Sequence, residues 1–206
     1  VGQCVLRGDE WPSHRGTVGR PYDTAIRILD EQQGELPHGT AGDVYLRRTD
    51  LDGPTFFYVG SPPPRQTPDG YTTVGDIGFL DDEGYLHLLD RRVDMIVSGG
   101  ANVYCAEVEQ ALTSHPGVLD AAVIGLPDDE WGHRVHAIVE LRPGKRPLPA
   151  EELSDYVRQR LAAYKAPKTY EYVDALARDE SGKLRRSMLV AERSGRTPPV
   201  ESAKHA

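Results

Sequence analysis

The chain has 206 residues, of which 38% are hydrophobic and 27% are charged, and its formal net charge is −8. This length allows one large domain or two small ones, and the composition is typical of a globular protein. With 32 Asp and Glu against 24 Lys and Arg, the chain lacks the excess of basic residues that nucleic-acid-binding proteins normally show. No apolar run approaches the roughly 18 residues that cross a bilayer, so we expect no membrane span.

The cysteines suggest the cellular compartment of the protein, and the first residue suggests that the chain is part of a longer one. Cys4 and Cys105 are far apart and lie in dissimilar sequence. We therefore expect reduced thiols, no disulfide and a cytoplasmic location. The chain starts with Val1 rather than Met, which we interpret as a sign that it is part of a longer protein.

The first 90 residues are predicted to form strands and long loops with little helix. Gly- and Pro-rich stretches at 34–42 and 60–70 separate short apolar runs of strand length. The predicted strands are residues 24–29, 44–47, 55–59 and 85–89.

After Asp90 the pattern changes to that of a compact α+β domain of roughly 100 residues. A helix is predicted from about residue 106 to a point before Pro116. A second, at 151–163, has apolar residues at four-residue spacing. The remaining predictions are a terminal helix at 187–192 and strands at 95–97, 118–126, 135–141 and 169–173. The fold class is thus α+β, with a β-rich segment at 1–90, a smaller α+β domain at 91–193 and a loose tail at 194–206.

Three motifs, in this order along the chain, resemble those of the adenylate-forming (acyl and aryl ligase, AMP-binding) superfamily. Segment 70–91 (GYTTVGDIGFLDDEGYLHLLDR) resembles the TGD motif and the strand after it. Segment 91–109 (RRVDMIVSGGANVYCAEVE) resembles the hinge and hairpin motif, and 181–186 (SGKLRR) resembles the C-terminal motif of the catalytic lysine. Residues 164–167 (YKAP) match a further signature. The resemblance covers about residues 16–190, and three ordered motifs are specific where one would be weak.

Two upstream motifs of the superfamily are not in this sequence: the phosphate loop ending in Lys and the aromatic-Gly-x-Thr-Glu motif. The resemblance therefore implies that residues 1–90 are the truncated, β-rich end of the AMP-binding N-terminal domain. Residues 91–193 would be the mobile C-terminal lid. We expect the missing N-terminal domain of the same protein to be the partner of this chain, and the chain alone to be inactive.

The resemblance also implies a reaction, that of an AMP-forming carboxylic acid–CoA ligase. A carboxylate attacks the α-phosphate of ATP to give acyl-AMP and pyrophosphate, and the thiol of coenzyme A then displaces AMP. The implied cofactors are ATP/AMP, Mg²⁺ arriving with ATP, and coenzyme A. Which acid is used, fatty, aryl or other, does not follow from these residues.

Asp76 and Arg91 are the nucleotide-binding candidates. By resemblance the Asp76 carboxylate holds the ribose hydroxyls of AMP, and Arg91 reaches ribose or phosphate oxygens. An isolated VGD sequence is more often an ordinary turn. Val74 stands where the superfamily usually has Thr, and Thr73 is a candidate substitute for the lost hydroxyl. Arg92 is adjacent to Arg91, so the two arginines could exchange roles.

Lys183, Gly99 and Gly100 are the candidates for the two chemical steps. Lys183 matches the lysine whose ammonium stabilises the anionic transition state of adenylation. Gly99 and Gly100 match the hairpin that lines the pantetheine tunnel in the thiol step. Glycines in a turn also supply positive φ, and both explanations can hold at once.

The hinge departs from the superfamily pattern. Its pivot is usually Asp or Lys, whereas here the matching residue is Val93 and Asp94 comes next. A β-branched residue restricts the side-chain torsion and packs closely against the backbone. Either the pivot has moved to Asp94 or the domain rotation differs, and the sequence does not decide between them.

The sequence predicts no metal site and leaves two alternative functions open. The seven histidines show no metal-ligand spacing, and we expect no structural metal; His133 and His136 would point to opposite sides of a strand. A peptide-synthetase-type adenylation domain is the alternative enzyme. A non-catalytic lid or binding module is the alternative outside enzymes.

Overall fold

The computed structural model describes residues 2–51, 56, 63–145, 148–180 and 182–194. The chain divides into two compact units, Val1–Val93 and Asp94–Ala206. This division falls three residues after the sequence-based boundary at Asp90. Most of the predicted strand at 55–59 and of the tail from 194 lies outside the described residues.

The first unit consists of antiparallel strands. A short pair joins β1 (Gln3–Val5) to β2 (Arg20–Tyr22). The main sheet has four strands in sequence order, namely β3 (Thr24–Leu29), β4 (Gly42–Arg48), β5 (Asp76–Leu80) and β6 (Leu86–Arg91). The predicted strand at 24–29 is confirmed to the residue. No helix occurs among the described residues of this unit.

A buried carboxylate lies on the face of this sheet opposite to an apolar cluster, because successive strand residues point to opposite faces. Ile28, Val44 and Leu86 pack together, and Asp43, beside Val44 on β4, has a side chain with no exposed surface. A buried carboxylate needs charged or hydrogen-bonding partners. Arg92 supplies two hydrogen bonds of 2.8 Å and Arg65 a third of 3.0 Å.

The second unit is built around a three-stranded sheet. A hairpin of β7 (Ile96–Ser98) and β8 (Ala101–Val103) leads into α1 (Cys105–Thr113). Strands β9 (Val118–Asp128) and β10 (Gly132–Leu141) pair antiparallel. Then come α2 (Ala150–Arg158), β11 (Thr169–Val173), which pairs parallel to β10, and α3 (Arg186–Ser194). The α+β class is confirmed, and the predicted strand at 169–173 agrees to the residue.

Helices cover both faces of this sheet. Val123 on β9 packs in one apolar cluster with Val108 of α1 and Leu153 of α2. Its neighbour Ile124 packs in a second cluster with Leu189 of α3. Because successive strand residues point to opposite faces, a sheet covered on both sides needs a continuous apolar run. The run at 121–124, AAVI, meets this need.

The second helix is shorter than predicted. It ends at Arg158 rather than at 163, and a 3₁₀ turn follows at Ala163–Lys165. Ala162 between them is extended, with ψ 140°, which stops the helical hydrogen-bond ladder. Leu161 still packs against the core, so the apolar spacing predicted its burial correctly but not its secondary structure.

We expect Asp43→Asn to destabilise the first unit by about 2 kcal/mol, because hydrogen bonds to charged groups contribute in that range. Asn keeps the shape but leaves the Arg92 guanidinium without its ionic partner. Asp50→Asn is the matched control, since Asp50 pairs with Arg48 at the exposed surface, where an ion pair contributes far less to stability than a buried one. Urea unfolding of both variants measures the difference, and equal losses would contradict it.

Candidate functional site

Asp76 is the first residue of β5, and the turn before it is shaped by two neighbours. Gly75 has φ +88°, in the region that favours glycine. Its N–H donates to the Thr73 hydroxyl at 3.0 Å, and its carbonyl accepts the Arg92 N–H at 2.8 Å. Thr73 is buried and Val74 is exposed. The Thr73 hydroxyl therefore serves the turn that presents Asp76.

Asp76 and Arg91 face each other across two strands. They are register partners on β5 and β6, and directly opposite residues of antiparallel strands share one face of the sheet. Arg91 Nε lies 3.8 Å from Asp76 Oδ1, and the two side chains are 69% and 28% exposed. An open pair of this kind contributes little to stability. Both groups are accessible to a ligand that offers hydroxyl or phosphate oxygens.

The structure distinguishes the two adjacent arginines. Arg92 binds both oxygens of the buried Asp43 and lies 3.3 Å from Glu31. The hydrogen bonds to Asp43 raise the pKa of Arg92 further. Arg92 therefore holds the end of β6 to β4, whereas Arg91 lies at the exposed edge beside Asp76. The exchange of roles that the sequence allowed would break the buried pair.

Val93 lies between two residues that are anchored in different units. Arg92 is bonded within the first unit, as described above. Asp94 is bonded within the second: its carboxylate accepts from Arg186 at 3.2 Å and its carbonyl accepts the Cys105 thiol at 2.9 Å. Val93 is 87% exposed.

Gly99 and Gly100 form the two-residue turn between β7 and β8, with φ of +57° and +79°. Their surroundings differ. A Cβ on Gly99 would lie 2.4 Å from Trp131 Cε3, whereas a Cβ on Gly100 would meet no described atom within 4 Å. The Gly99 N–H donates to the Trp131 carbonyl at 2.9 Å, and Lys168 Nζ lies 3.4 Å from the centre of a Trp131 ring. Packing and torsion both require glycine at 99, and torsion alone requires it at 100.

Lys183 is exposed and follows a tight glycine turn. The Asp179 N–H donates to the Lys183 carbonyl at 3.0 Å, and the Lys183 N–H donates to Asp179 Oδ1 at 3.0 Å. Gly182 has φ +77° and donates its N–H to the Asp179 carbonyl at 2.8 Å. The preceding motif residue, Ser181, lies outside the described residues. The backbone of Lys183 is thus fixed, while its side chain extends into solvent.

Two arginines that the sequence analysis did not single out flank this turn. Arg178 binds both oxygens of Asp120 at 2.7 and 2.8 Å and the Gly182 carbonyl at 2.9 Å. Arg186 binds both oxygens of Glu109 at 2.9 and 2.7 Å. These acidic partners are 58 and 77 residues away in sequence. No local spacing links such residues, so the sequence carried no signal for them.

Two of the described histidines, His133 and His136, were considered as a pair in the sequence. His133 and His136 both lie on β10, three residues apart and hence on opposite faces. His136 is buried, with Nδ1 2.8 Å from the Thr169 hydroxyl, and burial lowers its pKa. In the described part of the chain, no group of three or more His, Cys, Asp or Glu side chains is arranged to hold a metal ion. None of the described helices is long and apolar enough to cross a membrane.

These features belong to a known class of enzymes. Residues 107–183 match the family described as the AMP-binding enzyme C-terminal domain. The chain belongs to the adenylate-forming superfamily, as the three motifs predicted.

The relatives are ligases. The 2-succinylbenzoate–CoA ligase of Bacillus subtilis (strain 168) is 47% identical over 195 residues, which is 94% of this chain and 39% of that protein. The fatty acid–[acyl-carrier-protein] ligase ScoC of Streptomyces coeruleorubidus is 38% identical over 84% of this chain and 33% of its own length. The chain therefore spans little more than a third of the relatives it matches.

Solved structures agree with this assignment. The o-succinylbenzoate CoA synthetase MenE of Bacillus subtilis, in complex with the acyl-adenylate intermediate OSB-AMP, matches with a TM-score of 0.78 and 36% identity. The match covers 90% of this chain and 38% of that one. The amide bond synthetase McbA of Marinactinospora thermotolerans matches with a TM-score of 0.75 and 34% identity over 86% of this chain and 36% of that one.

We expect Gly99→Ala to destabilise the second unit more than Gly100→Ala does. Both place alanine at positive φ, at a cost of about 1–2 kcal/mol. Gly99→Ala also forces Cβ against the Trp131 indole, and such overpacking adds about 1–3 kcal/mol. Denaturant unfolding, followed by tryptophan fluorescence, compares the two. Equal losses would show that Trp131 moves aside without cost.

Proposed function

We propose that this chain is part of an ATP-dependent carboxylic acid–CoA ligase, in which it contributes the ribose-binding end of the nucleotide site and the mobile lid. The observation that carries the proposal is 47% identity to a 2-succinylbenzoate–CoA ligase over 94% of the chain. The solved complexes of MenE with AMP and with ATP and magnesium support the same nucleotides here.

In this proposal Asp76 and Arg91 hold the nucleotide from the first unit. The Asp76 carboxylate accepts hydrogen bonds from the ribose hydroxyls, an arrangement used at other nucleotide sites. The Arg91 guanidinium, next to it on the same sheet face, donates to ribose or phosphate oxygens. Arg92, directly after β6, holds the end of that strand to β4 by its bonds to Asp43. Mg²⁺ enters with the ATP phosphates.

Lys183 acts in the first half-reaction. The carboxylate of the acid attacks the α-phosphorus of ATP, the bond to pyrophosphate breaks, and acyl-AMP forms. Attacking group and phosphate are both anionic, so an ammonium at the developing charge lowers the barrier. A lysine on a fixed backbone turn with an exposed side chain can be delivered to this position and withdrawn when the lid moves.

The turn at Gly99 and Gly100 acts in the second half-reaction. The coenzyme A thiolate attacks the acyl carbon and AMP leaves with the electron pair of the broken C–O bond. Here a bare hairpin tip would let the pantetheine arm pass. The space beside Gly100 supports this role.

Val93 is the proposed pivot between the two poses, with Asp94 as part of the lid. Asp94 is bonded to Arg186 and to Cys105 in the second unit, so these bonds attach it to the lid. Val93 lies one residue outside them and is 87% exposed. We also propose the domains 1–90 and 91–193. The compact units divide after Val93, so the boundary between these domains would lie three residues later than the sequence suggested.

A cytoplasmic location is part of this proposal. Neither Cys4 nor Cys105 forms a disulfide, and unpaired cysteines of this kind are typical of proteins in a reducing compartment.

A carrier protein is a second candidate for the acceptor of the acyl group. The relative ScoC is named as an acyl-carrier-protein ligase, so the acyl group could pass to a carrier-protein thiol, as in peptide-synthetase adenylation domains. Thioester formation assayed with coenzyme A and with a phosphopantetheinylated carrier protein separates the two. A non-catalytic lid module is the remaining alternative, and it predicts no turnover with either acceptor.

The proposal is tested in the complete ligase with Lys183→Ala. Acid-dependent pyrophosphate exchange should fall by on the order of 100-fold or more, because a transition-state donor is lost. Conversion of supplied acyl-AMP to thioester should stay within about twofold, since the lysine has been withdrawn by then. Equal loss in both assays would contradict the assignment of Lys183 to the first half-reaction.

The 206-residue chain alone should release no pyrophosphate from ATP with any acid. Measurable acid-dependent release by this chain would contradict the expectation.

Gly100→Leu should have the opposite pattern to Lys183→Ala. Leucine would obstruct pantetheine, so thioester formation should fall at least about tenfold while pyrophosphate exchange stays near wild type. Gly100→Asn is the control, because asparagine tolerates positive φ but still adds bulk. If Asn restores full thioester formation, glycine is needed only for the turn and the tunnel role is wrong.

A further inference from the structure

The turn that carries Lys183 is attached to the body of the second unit on both sides. Before the turn, Arg178 is fixed to Asp120 on β9. After the turn, Arg186 begins α3 and is only three residues from Lys183. These attachments matter because an exposed turn would otherwise be free to move independently of the sheet and helices beneath it.

Arg186 connects this turn to two distant places at once. One amino group, Nη2, binds both carboxylate oxygens of Glu109 on α1 at 2.9 and 2.7 Å. The other, Nη1, binds the carboxylate of Asp94 at 3.2 Å. A planar guanidinium can bridge two carboxylates in this way, whereas an ammonium on a flexible stem cannot hold both in fixed geometry.

The bridge is well shielded from water, which strengthens it. The side chains of Arg186, Glu109 and Asp94 are 17, 15 and 24% exposed. Glu109 is itself held by the Val123 N–H of β9, which donates to it at 2.8 Å. The nearby carboxylates outweigh burial and raise the pKa of Arg186, so the guanidinium is charged at any physiological pH.

One end of the bridge is the first residue after Val93. When the backbone rotates at Val93, Asp94 moves with it. The Arg186 guanidinium links Asp94 directly to the start of α3, which lies three residues after Lys183. Without the bridge, the link between these places would run through α1 and the sheet alone.

We propose that Arg186 is a positioning residue of the adenylation step: it makes the segment after the hinge and the Lys183 turn move as one body. This inference rests on the function proposed above for Lys183 and Val93. Arg186 touches neither nucleotide nor acid in this scheme and acts only through Lys183. Its loss should therefore affect the half-reaction that needs Lys183 and spare the other.

The same helix provides a matched control. Arg193, near the other end of α3, binds both oxygens of Glu171 on β11 at 2.6 and 2.8 Å. Its side chain is 18% exposed, close to the value for Arg186. Arg186→Gln and Arg193→Gln thus each remove a similarly buried arginine from one helix, although Glu171 is 38% exposed and Glu109 only 15%. Only the first involves Asp94 or the end that carries the Lys183 turn.

In the complete ligase, Arg186→Gln should lower the kcat of acid-dependent pyrophosphate exchange by on the order of 10- to 100-fold, the range expected for a misplaced catalytic group. Thioester formation from supplied acyl-AMP should remain within about twofold, and Arg193→Gln should leave the ratio of the two rates unchanged. A parallel decline of both half-reactions in Arg186→Gln, or the same change of ratio in Arg193→Gln, would overturn the inference.

Asp94→Asn provides a milder test that also covers the case in which Arg186→Gln fails to fold. It weakens the hinge end of the bridge and leaves the Arg186–Glu109 pair in place. The same selective loss of pyrophosphate exchange is expected, and wild-type behaviour of both half-reactions would overturn the proposed coupling.

Hydrogen exchange on the 206-residue chain tests the positioning without any assumption about catalysis. The backbone amides of residues 182–185 should exchange faster in Arg186→Gln than in Arg193→Gln, and equal exchange would overturn the inference. If the wild-type ligase shows no acid-dependent pyrophosphate exchange at all, the proposed function fails, whereas the exchange comparison still decides whether Arg186 positions the turn.

Discussion

The burial of the Asp43 carboxylate is the constraint from which the first unit's site follows. A charge removed from water has to be compensated by bonds of good geometry, and Arg92 provides two of them at 2.8 Å. This pins the end of β6 to β4 and keeps Arg92 from any ligand. Arg91, one residue earlier, is left at the exposed edge beside Asp76. One desolvated carboxylate thus decides which of two adjacent arginines is exposed beside Asp76, where we propose that the nucleotide binds.

The second unit uses the same chemistry around the turn that carries Lys183. Arg178 and Arg186 each bind both oxygens of one carboxylate on the body of the unit, and the Lys183 turn lies between them. The Arg178–Asp120 pair is bidentate, through Nε and Nη2, and such pairs fix direction as well as distance. Arg186 binds Glu109 through Nη2 and Asp94 through Nη1. The lysine therefore combines a rigid backbone with an exposed side chain, which suits a charge that has to be delivered to one place and then withdrawn.

The sequence predicted local features well and long-range ones poorly. Strands at 24–29 and 169–173 were predicted correctly because alternation and apolar runs are local signals. Asp76 and Lys183 were predicted as site residues in the same way, from their immediate neighbours, and they stay predictions. The end of α2 was missed, since it depends on the extended backbone of Ala162 rather than on the apolar spacing. The acidic partners of Arg178 and Arg186 were missed because only the folded chain brings them near.

In the function proposed above, the exposure of Val93 affects the equilibrium between lid orientations. A side chain branched at Cβ favours extended backbone torsions over helical ones. With 87% of the residue exposed, packing has little influence on these torsions. If Val93 is the pivot, as we propose, they contribute to the equilibrium between lid orientations. Glycine or alanine, which lack the branch at Cβ, would then shift that equilibrium and isoleucine would preserve it, so the pace of the catalytic cycle would change without any change in the reacting groups.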